Sequence, residues 1–356
     1  MNNKILSYNE KLILYGLVKY PLKSDNEICN ILDLKKSTFS TIKKRLFLKN
    51  YFRSIRVPIF QHLGCELLVV SYGKLNQNTT IEERLNISKK LWLGIPEHFY
   101  IISESNQAII LSISKNITDF EERFEDITQI YKEYEFFEGR GFTTILFPFK
   151  LFRIFSFFDF GPFLNRFFRL KLEGEEDINI VSKKYMCNVK ECEMTKLEKR
   201  VYYELIQHPN YSDYKIADVA KCSRHTVSRM KNNFYNEKLM RITRIMNLEK
   251  LGLTILAFTH SRFNPKTTLN ERKNYLQKLV DLQTPIFNIS RRLEGVMLTP
   301  FKDFEEYQRI HGEVTRFSVR EQMLQEDPQT MLLSIPRMTT LRNHDNSLLV
   351  KKILGL

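Results

Sequence analysis

The chain has 356 residues, 43% of them hydrophobic, which suits two to four packed modules rather than one small domain. Lysine and arginine outnumber aspartate and glutamate by 55 to 41, and the resulting net charge of +14 favours an anionic partner, either nucleic acid or an acidic surface. No stretch approaches about 18 uninterrupted apolar residues, and Met1-Asn2-Asn3-Lys4 leads into a polar helical pattern, so the sequence predicts a cytoplasmic protein with no membrane association.

Tyr8 to Lys19 carries Leu12, Ile13 and Leu17 at helical spacing, and Pro21 ends that helix. Ser24 or Asp25 can cap a short helix through Leu32, because its side-chain oxygen satisfies free first-turn amides. A third helix is predicted over Lys35 to Phe47 with Phe39, Ile42 and Leu46 inward. Tyr51 to Val57 reads as a β-hairpin with Arg53 and Arg56 along its edge. Three helices followed by a basic hairpin is the order of a winged helix-turn-helix. The pattern then changes to a strand over 67–75, a helix over 80–93 and two strands, 98–104 and 108–114, around Ser105-Asn106-Gln107. A helix over 118–134 and a strand over 142–149 complete β-α-β-β-α-β, the ferredoxin-like order.

Sliding the chain against itself aligns Glu10-Lys11 with Glu198-Lys199, an offset of 188. One register also pairs Pro21 with Pro209, Ser24-Asp25 with Ser212-Asp213, Arg53 with Arg241, Arg56 with Arg244 and Gly64 with Gly252. About a quarter of roughly 80 positions are identical without a gap, which reads as a duplication. The second half repeats the elements over 254–263, 269–282, 286–292, 296–300, 303–323 and 331–335. The predicted fold class is α+β, two repeats of a winged helix-turn-helix followed by a ferredoxin-like domain. The expected boundaries are 1–63, 64–150, 192–251 and 252–340, with a linker at 151–191 and a tail at 341–356. The linker begins dense in phenylalanine, from Phe152 to Phe168, and turns acidic around Glu173-Gly174-Glu175-Glu176-Asp177.

The third helices are the candidate sites. In the first half Lys36, Ser37, Thr38, Ser40, Thr41, Lys43 and Lys44 share a face rich in cations and hydroxyls. In the second, Arg224, His225, Thr226, Ser228, Arg229, Lys231 and Asn232 do so. A helix fits the major groove, where Arg, Asn and Ser/Thr reach base edges and Lys neutralises phosphate. Arg53, Arg56, Arg241 and Arg244 are expected along the flanking backbone or minor groove. The second face holds the better base readers and the first is lysine-rich, so discrimination is expected from the second and salt-dependent affinity from the first.

Cys29, Cys65, Cys187, Cys192 and Cys222 lack zinc-ligand spacing, and neither metal nor cofactor is expected. Gly139-Arg140-Gly141 lacks the helix a phosphate loop needs, and no metalloprotease or nucleophile-elbow motif occurs.

The module order, with Ser24-Asp25-Asn26-Glu27-Ile28, Lys36-Ser37-Thr38 and Gly64 before the Leu67 strand, resembles the Lrp/AsnC family of feast/famine regulators. In the second half Ser212-Asp213-Tyr214-Lys215-Ile216, Ser223 to Arg229 and Leu251-Gly252 carry the same resemblance. It implies double-stranded DNA binding, homo-oligomer pairing through the ferredoxin-like domains and small-molecule effectors between them. The fused halves would form the family's dimer within one chain. The family's Gly-x-x-Asp turn has no match, Ser105-Asn106-Gln107 and Glu294-Gly295 standing in its place. Siroheme decarboxylases share this layout and use histidines near the second ferredoxin-like strand. Pro96-Glu97-His98-Phe99-Tyr100 resembles that region, whereas Pro285-Ile286-Phe287-Asn288 has no histidine. The expectation is therefore a transcription regulator without enzymatic activity, the alternatives being a siroheme-decarboxylase-like protein and a winged-helix interaction scaffold.

Overall fold

The computed structural model describes residues 6–80, 82–83, 86–87, 94–104, 106–139, 141–170 and 191–356. The expected helix over 80–93 falls largely outside them, as do Ser105, Arg140, Cys187 and the acidic run at 173–177. In chain order the first half contains α1 (Tyr8–Lys19), α2 (Asp25–Ile31), α3 (Lys36–Leu48), β1 (Phe52–Pro58), β2 (Leu67–Lys74), β3 (His98–Glu104), β4 (Gln107–Ser114), α4 (Ile117–Glu133), β5 (Thr143–Pro148), β6 (Arg153–Phe157) and α5 (Gly161–Phe168). The second runs α6 (Lys196–Gln207), α7 (Asp213–Ala220), α8 (Arg224–Asn236), β7 (Met240–Met246), β8 (Ile255–Arg262), α9 (Leu269–Gln283), β9 (Phe287–Ser290), β10 (Glu294–Phe301), α10 (Phe304–Arg320), β11 (Gln329–Ser334), β12 (Thr339–Asn343) and α11 (Ser347–Leu354). The result is a mixed α+β chain with antiparallel sheets.

Two compact units form, and each draws on both halves of the sequence. One holds residues 1–54, 152–185 and 242–336; the other holds 55–151, 186–241 and 337–356.

In the first unit, helix starts follow side-chain chemistry. Ser7 and Ser24 each accept a first-turn amide while Glu10 and Glu27 reach back to the cap amides, so two otherwise unpaired donors are satisfied at each end. Helix α3 buries Phe39, Ile42 and Leu46, one stripe at 3.6-residue spacing. Gly16 lets α1 and α2 touch: a β-carbon there would stand 2.6 Å from Leu32 Cδ1. The sheet runs β11-β8-β10-β9-β6. Its edge strand β6 comes from the expected linker, with Ile154 opposite Ile289 and Phe157 opposite Phe287. Phe152, Phe158, Phe160 and Phe163 are buried, and α5 packs against α1. The phenylalanines therefore belong to a core.

The second unit mirrors this order as β12-β3-β4-β2-β5. Here the expected tail supplies the edge strand, Thr340 lying opposite Ile102. Val350 and Leu354 of α11 enter the core with Val201, Leu205, Val227 and Phe234. Phe158 and His344 both leave their edge strands with positive φ, 52° and 51°, so each strand turns into its helix in the same way.

The hairpin expected over Tyr51–Val57 is instead the continuous strand β1. Phe52-Arg53-Ser54-Ile55-Arg56-Val57-Pro58 holds no Asn-Gly or Asp-Gly pair to reverse the chain. The residues flanking it bond non-locally: Tyr51 O accepts from Asn247 N in the first unit, and Ile59 N donates to Leu239 O in the second.

Candidate nucleic-acid interface

Burying one stripe of each third helix leaves the opposite face to solvent. On α3, Lys36, Ser37, Ser40, Thr41 and Lys44 are exposed, with Thr38 and Lys43 half-buried. On α8, Val227 and Phe234 face the core. Arg224, His225, Arg229 and Asn232 are exposed there, with Thr226, Ser228 and Lys231 half-buried. Ser223 caps α8 by accepting from Thr226 N at 3.1 Å. The N-cap of α3 is Lys35, which makes no side-chain cap, so the positive end of that helix keeps its amides for another acceptor.

Two of the candidate cations are already committed. Lys43 Nζ lies 2.7 Å from Asp25 Oδ1, and Lys231 Nζ lies 2.5 Å from Asp213 Oδ1. Each pair ties the second helix of its trio to the third. Arg45 adds a 2.9 Å pair to Glu10 on α1. Asp25 and Asp213 were missed as positioning residues, although the 188-residue offset retains both members of both pairs.

Arg56 and Arg244 do not lie where a wing would meet DNA. Arg56 is buried in the second unit, where its Nη1 donates to Leu205 O at 2.8 Å and His208 O at 3.4 Å. Its Nε donates to Tyr235 Oη at 3.0 Å. Arg244 is buried in the first unit and donates to Leu17 O. Burial pushes the Arg244 guanidinium below the usual arginine range, with Asp25 opposing. Leu17 and Leu205 occupy the last turns of α1 and α6, so each arginine neutralises the negative end of a helix. The expectation of a DNA contact fails for these two because the partner of each guanidinium is a helix end. Arg53 and Arg241 are half-buried.

The histidine segment is also structural. His98 is buried on β3, with Nδ1 2.6 Å from Ser112 Oγ on β4. Desolvation, reinforced by Arg342 and Arg123, pushes its pKa down to about 3, so the ring is neutral. Its neighbour Glu97 is buried between Arg123 Nη1 and Lys352 Nζ, each 2.7 Å away. Arg342 donates to Ile95 O and His98 O, both at 2.6 Å. This network fastens β12 and α11 to the sheet. Among the described residues, no group of three His, Cys, Asp or Glu side chains is arranged to hold a metal, and no helix is long and apolar enough to cross a membrane.

No family model matches the chain, and no curated protein matches it. Among solved structures, the siroheme decarboxylase NirDL in co-complex with an iron-uroporphyrin III analogue is similar at a TM-score of 0.51 and 10% identity, with 98% of each chain covered. A second structure of NirDL gives a TM-score of 0.52 over the same coverage. An AsnC family transcriptional regulator from Agrobacterium tumefaciens covers 39% of this chain at 11% identity and a TM-score of 0.33, with 90% of that chain covered. The expectation that the chain is no enzyme is overturned by this likeness, since a fold matched over 98% of the chain is that of a decarboxylase.

Proposed function

We propose that the chain binds double-stranded DNA as a transcription regulator, with α3 and α8 as the recognition helices of two winged helix-turn-helix domains. On this reading each domain is followed by a ferredoxin-like domain, and the whole arose by duplication. The carrying observation is the pair of outward faces. Each belongs to the third helix of a trio, tied to the second helix by an Asp–Lys pair, and carries exposed cations and hydroxyls opposite a buried stripe. On this reading Lys36 and Lys44 serve phosphates, while Arg229 and Asn232, exposed on α8, are the side-chain types that pair with guanine and adenine edges. The test compares Arg229→Ala with Lys44→Ala, since Lys43 is held by Asp25. Arg229→Ala is expected to cost about 1–3 kcal/mol on the preferred site and less on random DNA. Lys44→Ala is expected to weaken both equally. Identical losses on preferred and random DNA for the two variants would remove the assignment of discrimination to α8.

The whole-chain likeness to NirDL favours a second reading, action on a tetrapyrrole. His98 is not available for it, being buried against Ser112, so other residues would have to hold the macrocycle. Mixing the protein with siroheme and recording the absorbance spectrum separates the readings. A saturable band shift supports the second, and an unchanged spectrum removes it.

A further inference from the structure

The first unit contains a cavity of about 300 Å³ between α9, α10, the sheet and the 322–328 loop. In the second unit the matching helix end and the loop after it carry a cluster of aromatic rings. Two hydrogen bonds fix the correspondence: Phe136 N donates to Tyr131 O as Met323 N donates to Ser318 O. Two isolated bridges, Leu75 with Phe137 and Phe263 with Leu324, extend it. Tyr131, Phe136, Phe137 and Phe142 pack ring against ring in the second unit, with centroids 5.1 Å apart for Tyr131–Phe137 and for Phe137–Phe142. In the first unit Ser318, Met323 and Leu324 replace three of these rings. Tyr275 and Phe317 stack there with ring centroids 5.4 Å apart, and the Tyr275 hydroxyl meets Ser318 Oγ at 2.6 Å while Ser318 donates on to Val314 O at 2.7 Å, which ties α9 to α10.

The lining is graded. Leu279, Met297 and Val314 make an apolar interior, His311, stacked on Tyr307, stands half-buried in the wall, and Glu326 and Asp327 stand exposed at the rim. Arg262 engages Glu326 at 3.0 Å, whereas among the described residues no cation lies within ion-pair distance of Asp327. We propose that this cavity is a binding site for a compact organic amine, its apolar body between α9 and α10 and its ammonium at Asp327. The volume is about twice that of an apolar cavity that accepts benzene, which sets the body at roughly the size of a bicyclic ring.

The site does not rest on the DNA reading and is tested without DNA. Tryptamine and indole-3-propionate, which share a ring system and differ in charge, are titrated into the full chain by calorimetry. The proposal expects saturable tryptamine binding at least tenfold tighter than binding of the acid. Ser318→Tyr, which restores the ring of the other unit, and Thr315→Trp, which fills the cavity from α10, should each weaken tryptamine at least tenfold. Thermal unfolding identifies which of the two remains folded. Asp327→Asn should weaken tryptamine and leave the acid unchanged. Absence of saturable tryptamine binding, equal affinity for the acid, or unchanged affinity in a folded cavity-filling variant would each overturn the proposal.

Discussion

Arg56 offers the sharpest separation between a surface charge and a structural one. Replacing it with methionine keeps the apolar stem and removes the guanidinium from Leu205 O, His208 O and Tyr235 Oη. Hydrogen bonds from a charged donor contribute about 1.5–3 kcal/mol each, and a cation at a helix C-terminus up to about 2 kcal/mol. These contributions overlap on one group and one contact is long, so the expected loss is about 3 kcal/mol rather than the sum. With a urea slope of about 2–3 kcal/mol per molar, the unfolding midpoint should fall by about 1 M. Urea titration followed by far-ultraviolet circular dichroism measures this. DNA affinity of the folded variant and its dependence on salt should match those of the unaltered protein. An unchanged midpoint together with a salt slope lowered by about one would show that Arg56 meets phosphate and would refute the burial argument.

Other expectations follow from the same contacts. The unfolded chain takes up a proton on His98 near pH 6.5, but the folded chain resists it down to about 3, so stability attributable to this group falls as pH drops below 6.5. Between pH 6.5 and 5 that contribution is about 2 kcal/mol, and His98→Gln should flatten the pH dependence of the unfolding free energy by that amount. Ser24→Ala removes the reciprocal cap of α2 and should cost about 1 kcal/mol in the same denaturation assay. Lys43→Met should change stability by no more than about 1 kcal/mol, since the Asp25 pair is partly exposed, and a larger loss would mean the pair does more than tie α2 to α3.

Local signals were legible and non-local ones were not. Helix α1 spans the predicted residues, and α3 buries Phe39, Ile42 and Leu46 as its spacing requires, because caps and 3.6-residue stripes lie within one turn of what they control. Strand β3 falls where expected, and β4 begins one residue earlier than expected, at Gln107. The segments 151–170 and 341–356 were misread as linker and tail because β6 finds its partner β9 more than a hundred residues onward and β12 finds β3 more than two hundred back. Phe158 and His344 make the same turn with dissimilar side chains, so identity could not reveal that equivalence. Arg56 and Arg244 were recognised as a repeated pair, but the helix ends they neutralise belong to the other half of the sequence. For the candidate site, the exposed faces of α3 and α8 were readable from periodicity, whereas the ties to Asp25 and Asp213 needed the fold.

The central claim, that α3 and α8 read double-stranded DNA, is tested most directly by binding the full chain to genomic fragments, its own promoter included, at 50 and 200 mM salt. The account predicts that a subset of fragments stays bound at the higher salt while random DNA is released, and that Arg224→Ala with Arg229→Ala abolishes the preference. Equal release of every fragment, with no preference at either concentration, would contradict it.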